Sequence, residues 1–216
     1  QLHCEPLVTP LENDASGRRY YRIRTNNQTY VVMDHPGDAQ NTQEFCRLSK
    51  ALTTGGLTVP TIHKQDTEQG FLLLTDFGDD LLFNLLTPQT APRLYKKAIN
   101  NIIQLQRNTG LITTEHLFTA QRFQNGFDRF MTLYVPRFSC PLQPHEHSTL
   151  NHTFKQLINL ALSQPQVLIH RDYHSKNIIL LSNQTIGTID FQDALTGPIT
   201  YDVMTLLYDH YLTWPY

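Results

Sequence analysis

His170, Arg171, Asp172 and Asn177 stand in the spacing H-R-D-x-x-x-x-N, and Asp190 follows within Ile189-Asp190-Phe191. Two carboxylates and an amide in this order suit phosphoryl transfer from a nucleotide. That chemistry needs a base at the accepting hydroxyl and oxygen ligands that hold a divalent cation against the phosphates. On this reading Asp172 is the catalytic base, and Asn177 and Asp190 are ligands for Mg²⁺ bound with ATP. The competing reading makes His170 and Asp172 ordinary turn residues between strands. The flanks favour chemistry: Val167-Leu168-Ile169, Ile178-Ile179-Leu180-Leu181 and Thr185 to Ile189 read as short buried strands around the loop. Motif and context therefore agree.

The elements that must position this loop begin upstream. Phe71-Leu72-Leu73-Leu74-Thr75 reads as a buried strand, stopped by Gly78 and the pair Asp79-Asp80. Asp76-Phe77-Gly78 spells a D-F-G metal motif but precedes the catalytic loop, and the metal carboxylate must follow that loop, so Asp190 is preferred. Strands near Tyr20–Thr25 and Thr29–Asp34 flank the turn Asn26-Asn27, whose residues tolerate left-handed backbone. With Thr25 paired to Gln28, Tyr21 faces Val32 and Arg19 faces Asp34, on one side of the sheet. A helix is expected from about Asp38 to Thr54, with Phe45, Leu48 and Leu52 at helical spacing and Gly55 as its stop.

The blocks Asp14-Ala15-Ser16-Gly17-Arg18-Arg19-Tyr20-Tyr21-Arg22, His170 to Asn177, Ile189 to Ala194 and Gly197 to Asp202 resemble the kinase-like small-molecule phosphotransferases, the family of aminoglycoside and choline kinases. Within it they are most similar to the anomeric kinases that phosphorylate N-acetylmuramate and N-acetylglucosamine at C1 in bacterial cell-wall recycling. The resemblance spans nearly the whole chain. His174 and Phe191-Gln192 depart from the protein-kinase pattern in favour of that branch.

The resemblance implies an α+β, protein-kinase-like two-lobe fold. Residues 1–78 would form a small antiparallel-sheet N-lobe with one helix, and 79–216 a larger, mainly helical C-lobe whose last helices are missing. It implies main-chain contacts from Asp76, Phe77 and Gly78 to adenine, and a phosphate cover at Ser16 and Gly17. Arg18, Arg19 and Val32 complete the expected nucleotide site. Kinases place a Lys on the third strand; here Asp34 takes that place, and no Lys precedes Lys50. Either the chain is a pseudokinase or an Arg supplies the cation, with Asp34 orienting Arg19 across the phosphates. Glu44 would pair with an Arg or face solvent. Lys176 would either neutralise the transferring phosphoryl group or face solvent, and Asp193 and Asp202 would brace the metal loop.

Composition sets the outer limits. A formal charge of −2 gives no basic footprint for nucleic acid, and no run approaches a membrane span. The expected partner is a small sugar or alcohol, in the cytoplasm, where Cys4, Cys46 and Cys140 suit reducing conditions. Thr90 and Pro92 open a helix carrying Leu94, Ala98, Ile102 and Leu105. Another, from about Thr119 to Tyr134, presents Phe123, Phe127, Phe130, Met131 and Tyr134 as a core stripe. Phe154, Leu157, Ile158 and Ala161 mark a third, after a Pro-containing connection from Pro136 to Pro144. His145-Glu146-His147 reads as loop residues with too few ligands for a metal.

Overall fold

The computed structural model describes residues 6–11, 17–26, 28–110, 117–138 and 141–214. Its N-terminal part consists of β1 (Leu7–Pro10), β2 (Arg19–Arg24), β3 (Thr29–Asp34), α1 (Ala39–Thr54), β4 (Ile62–Asp66) and β5 (Phe71–Thr75). The strands form one antiparallel sheet in the order β1-β2-β3-β5-β4. The hairpin register is the expected one: Arg19 opposes Asp34, Tyr21 opposes Val32, and the Thr25 amide donates to the Gln28 carbonyl at 2.9 Å. Asn27 of the turn lies outside the described residues.

Strand side chains alternate between faces, so Tyr20, Arg22, Val31 and Met33 share one side of this hairpin. Arg19, Tyr21, Val32 and Asp34 share the other. The first side packs on α1, where Met33, Phe45, Leu48, Leu52, Leu72 and Leu74 are buried together. Asp38 caps α1 by accepting the Asn41 amide at 3.0 Å. Glu44 pairs with Arg47 one turn on, at 2.6 Å.

The C-terminal part begins with α2 (Leu82–Leu85), α3 (Ala91–Arg107) and α4 (Ala120–Arg129), which runs into a π-helical turn (Phe130–Tyr134) and α5 (Val135–Phe138). Then come α6 (Pro144–Leu162), β6 (Gln166–Ile169), β7 (Ile178–Leu180), β8 (Ile186–Thr188), β9 (Leu195–Pro198) and α7 (Tyr201–Leu207). Strands β6 and β9 pair, as do β7 and β8, framing the segments that carry Asp172 and Asp190. α3 buries Leu94, Ala98, Ile102 and Leu105 as its spacing requires.

Two expectations fail here. The aromatic stripe of α4 is not core: α4 buries no residue, and Phe130 and Tyr134 are 40% and 54% exposed. Helical spacing makes one apolar face but does not bury it; here Phe123 packs partly buried on Phe118 at 4.4 Å and Phe127 stacks on Phe154 of α6 at 4.1 Å. His145-Glu146-His147 is not a loop but the first turn of α6, where the Glu146 carboxylate accepts the Gln143 amide at 2.7 Å in a capping box.

Candidate active site

The catalytic loop leaves β6 at His170, which is 1% exposed and whose Nε2 meets the Ile189 carbonyl at 3.0 Å. Burial pushes its pKa down to about 4, so the ring is neutral. Arg171 turns the chain with φ of 80°, a left-handed conformation that costs a non-glycine residue about 1–2 kcal/mol. The turn is held from below by Asp202 of α7, whose carboxylate accepts the His170 amide at 2.7 Å and the Arg171 amide at 3.0 Å. Burial pushes that carboxyl up to about 7 against the pull of the two amides.

The rest of the loop is fixed at three further points. Tyr173 is fully buried, with its hydroxyl 2.8 Å from Asn101 Oδ1 and 3.1 Å from the Ala98 carbonyl of α3. Asp209 accepts the Ser175 amide at 2.8 Å. Asn177 Nδ2 donates to the Asp172 carbonyl at 3.0 Å and reaches Asp190 Oδ2 at 3.3 Å. Asp190 is itself left-handed, with φ of 62°, and Gln192 Nε2 donates to its other oxygen. A carboxylate and an amide from separate loops thus meet beside the main chain of Asp172. Both side chains offer hard oxygen donors of the kind Mg²⁺ accepts and could hold that ion. Among the described residues no group of three or more His, Cys, Asp or Glu could hold a metal alone.

A cavity of about 460 Å³ opens between the sheet and this loop. Tyr20 and Val31 line it from the sheet, Asp76 to Asp79 from the segment after β5, and Ile179 and Ile189 from below. His174, Lys176, Asn177, Asp190 and Tyr211 line its catalytic side. The segment after β5 is locked to the sheet by Arg22. Its Nε and Nη2 meet the Asp76 carboxylate at 2.7 and 3.0 Å, and its Nη1 meets Asp79 at 2.8 Å. Burial raises the Asp76 carboxyl, but the Gly78 amide and Arg22 outweigh it and hold the group below its ordinary value. Phe77 packs over Gly187, where a Cβ would come within 2.8 Å of the ring.

The structure therefore brings Asn177, Asp190, Asp76, Phe77 and Gly78 to one cavity, while Asp172 is outside its lining and is tied to Asn177 through its main-chain carbonyl. It does not bring Arg19 or Val32 there. The pair Arg19–Asp34 forms, at 2.9 Å, but on the opposite face of the sheet, with Arg19 about half exposed. Taking Asp34 as the stand-in for a strand Lys chose the wrong parity: Met33, one residue earlier, is on the cavity face. Arg18 is on that face too, 8% exposed at the sheet's end near Asp38, away from the cavity lining. Gly17, with φ of 74°, has open space around it, and Ser16 lies outside the described residues. Sequence reasoning missed Tyr20, Arg22, Val31 and Tyr211. The period-2 alternation that paired Arg19 with Asp34 could have found the first three.

The profile of the phosphotransferase enzyme family matches residues 7–215. An N-acetylmuramate/N-acetylglucosamine kinase of Pseudomonas putida is 33% identical over 209 residues, covering 96% of this chain and 61% of its own length. The chain thus spans about three fifths of this curated relative. An aminoglycoside 2'-phosphotransferase-IIIa solved with GDP superposes with a TM-score of 0.67 at 17% identity, covering 94% of this chain and 72% of that one. An ADP-bound aminoglycoside phosphotransferase gives 0.66 at 15% identity, over 92% and 70%. These likenesses establish the protein-kinase-like fold.

Proposed function

We propose, since this chain belongs to the phosphotransferase enzyme family, that the protein is an ATP-dependent kinase acting on the anomeric hydroxyl of N-acetylmuramate or N-acetylglucosamine. The observation that carries this reading is the meeting of the two loops. Asn177 donates to the Asp172 main-chain carbonyl at 3.0 Å and reaches the Asp190 carboxylate at 3.3 Å, so the loop carrying the proposed base is tied to the two proposed metal ligands, both of which line the cavity. The named activity of the Pseudomonas putida relative supports the amino-sugar acceptor, and the ADP-bound neighbour supports an adenine nucleotide.

In the proposed reaction the Asp172 carboxylate takes the proton of the C1 hydroxyl as its oxygen attacks the γ-phosphorus, and ADP leaves. A hemiacetal hydroxyl is more acidic than an ordinary alcohol, so positioning and charge neutralisation carry much of the barrier. Asn177 and Asp190 would hold Mg²⁺, which when bound supplies that neutralisation between phosphate oxygens. The main chain of Asp76 to Gly78 would meet the adenine edge, with Val31 and Ile179 on its faces.

The test is phosphate transfer by the full-length protein from MgATP to a panel of N-acetylmuramate, N-acetylglucosamine, an aminoglycoside and choline, with the product located by ³¹P NMR. A sugar 1-phosphate is expected. Asp172→Asn should lower kcat by about 10³-fold or more while leaving ATP affinity within about twofold. Transfer only to an aminoglycoside or choline would overturn the acceptor assignment. A fully active Asp172→Asn protein would overturn the base.

A further inference from the structure

A kinase site needs a cation on the nucleotide's phosphates, and β3 supplies none: the β3 residue lining the cavity is Val31, and Met33 on the same face is buried in the core. Among the described residues lining the cavity, the permanently cationic side chains are Arg22 and Lys176. Arg22 is committed, with Nε, Nη1 and Nη2 all engaged by Asp76 and Asp79. Lys176 is in a different state. No carboxylate of the described residues pairs with it. Its Nζ rests instead 4.1 Å from the ring centre of Tyr211 and 5.2 Å from that of Phe83.

Two anchors set this arrangement. Asp209 accepts the Ser175 amide with one oxygen and the Tyr211 amide with the other, at 2.8 and 2.9 Å. One carboxylate therefore fixes both the backbone before Lys176 and the ring under it. The next residue in the chain is the metal ligand Asn177. A Lys on a four-carbon stem, held by ring faces beside the metal site, keeps its charge and can exchange a weak partner for a strong one.

We infer that Lys176 is the phosphate-contacting cation of this site, reaching the nucleotide from the catalytic loop in place of a strand Lys. The inference rests on the nucleotide reading above. On binding, the ammonium leaves Tyr211 and Phe83 and donates charge-assisted hydrogen bonds to phosphate oxygens, which are stronger than its ring contacts. The acceptor sugar is not its partner.

The experiment is calorimetric titration of the full-length protein, with Mg²⁺, by adenosine, ADP and ATP, comparing wild type with Lys176→Met, Lys176→Gln and Lys176→Arg. Met and Gln should weaken ADP and ATP by about ten- to a hundredfold and leave adenosine within about twofold. Arg should restore most of the loss, because it keeps the charge. Unchanged ATP affinity in both neutral variants would overturn the inference. So would a proportional loss for adenosine, or a rise confined to the acceptor KM. A wild-type protein that binds neither ATP nor adenosine would instead overturn the nucleotide reading beneath it.

Discussion

His170 and Asp202 sit at adjoining points of the same turn, and burial moves their titrations in opposite senses. The His170 pKa falls to about 4 from 6.5, so the unfolded chain takes up a proton that the fold refuses. Its stabilising contribution is complete above pH 6.5 and is lost as pH drops toward 4. Asp202 rises to about 7 from 3.8, so the fold holds a proton the unfolded chain releases. Its contribution is complete below pH 3.8 and is lost as pH rises to 7. Between pH 4 and 6.5 the two slopes, each about 1.4 kcal/mol per pH unit, nearly cancel. We predict that Asp202→Asn exposes the histidine term. Across that window its unfolding free energy should fall with acid more steeply than that of the wild type by about 1.4 kcal/mol per pH unit. Above pH 7.5 the two curves should run parallel. Urea titrations at half-unit pH steps measure both, and parallel curves throughout would show that Asp202 ionises normally in the fold.

At the level of elements, the segment after β5 is held to the sheet by a buried guanidinium. Arg22 and Asp76 side chains are 9% and 5% exposed, whereas Asp79 is 76% exposed, so the first pair carries the lock. Arg22→Met would leave the Asp76 carboxylate buried with the Gly78 amide as its chief remaining partner. We expect it to cost about 3 kcal/mol, against less than about 1 kcal/mol for Asp79→Asn. Chemical denaturation of the two variants separates them, and equal costs would refute the assignment. The same hairpin shows what a sequence can and cannot disclose. Its register followed from a two-residue turn and strict alternation, and the loop from His170 to Asn177 followed from motif and flanking strands. Which face of the hairpin meets the cavity did not follow, because it depends on where α1 packs. Likewise the helical spacing of Phe123, Phe127 and Phe130 was legible, but not that α4 leaves every residue at least partly exposed among the described residues. The anchors of the catalytic loop, Asn101 and Asp209, come from distant elements and carry no local signature.

On the scale of the whole molecule, the two parts of the chain share a core rather than merely facing each other. Leu105 of α3, Leu168 of β6, and Phe191 and Ala194 after the metal loop are buried in one cluster with Met33, Phe45, Leu48 and Leu72. The Phe45 and Phe191 rings lie 4.7 Å apart, and the Thr188 amide donates to the Thr58 carbonyl at 2.9 Å. Phe191, 1% exposed, directly follows Asp190, the proposed metal ligand, and packs on Phe45 of α1. A sheet and a helical body joined through such a core should unfold together. We predict one transition, with the fluorescence of Trp214 and hydrogen exchange of the β3 and β5 amides reporting the same free energy. Phe191→Ala should lower that free energy by about 3–5 kcal/mol, the usual cost of emptying a buried aromatic site. It should also weaken divalent-cation dependence of nucleotide binding, because Asp190 loses its neighbour's support. Phe191→Leu, which keeps most of the volume, should recover most of both. If the β-sheet amides exchange at a lower free energy than Trp214 reports in the wild-type protein, the lobes are separate folding units. Phe191 would then act on the metal site by local packing alone.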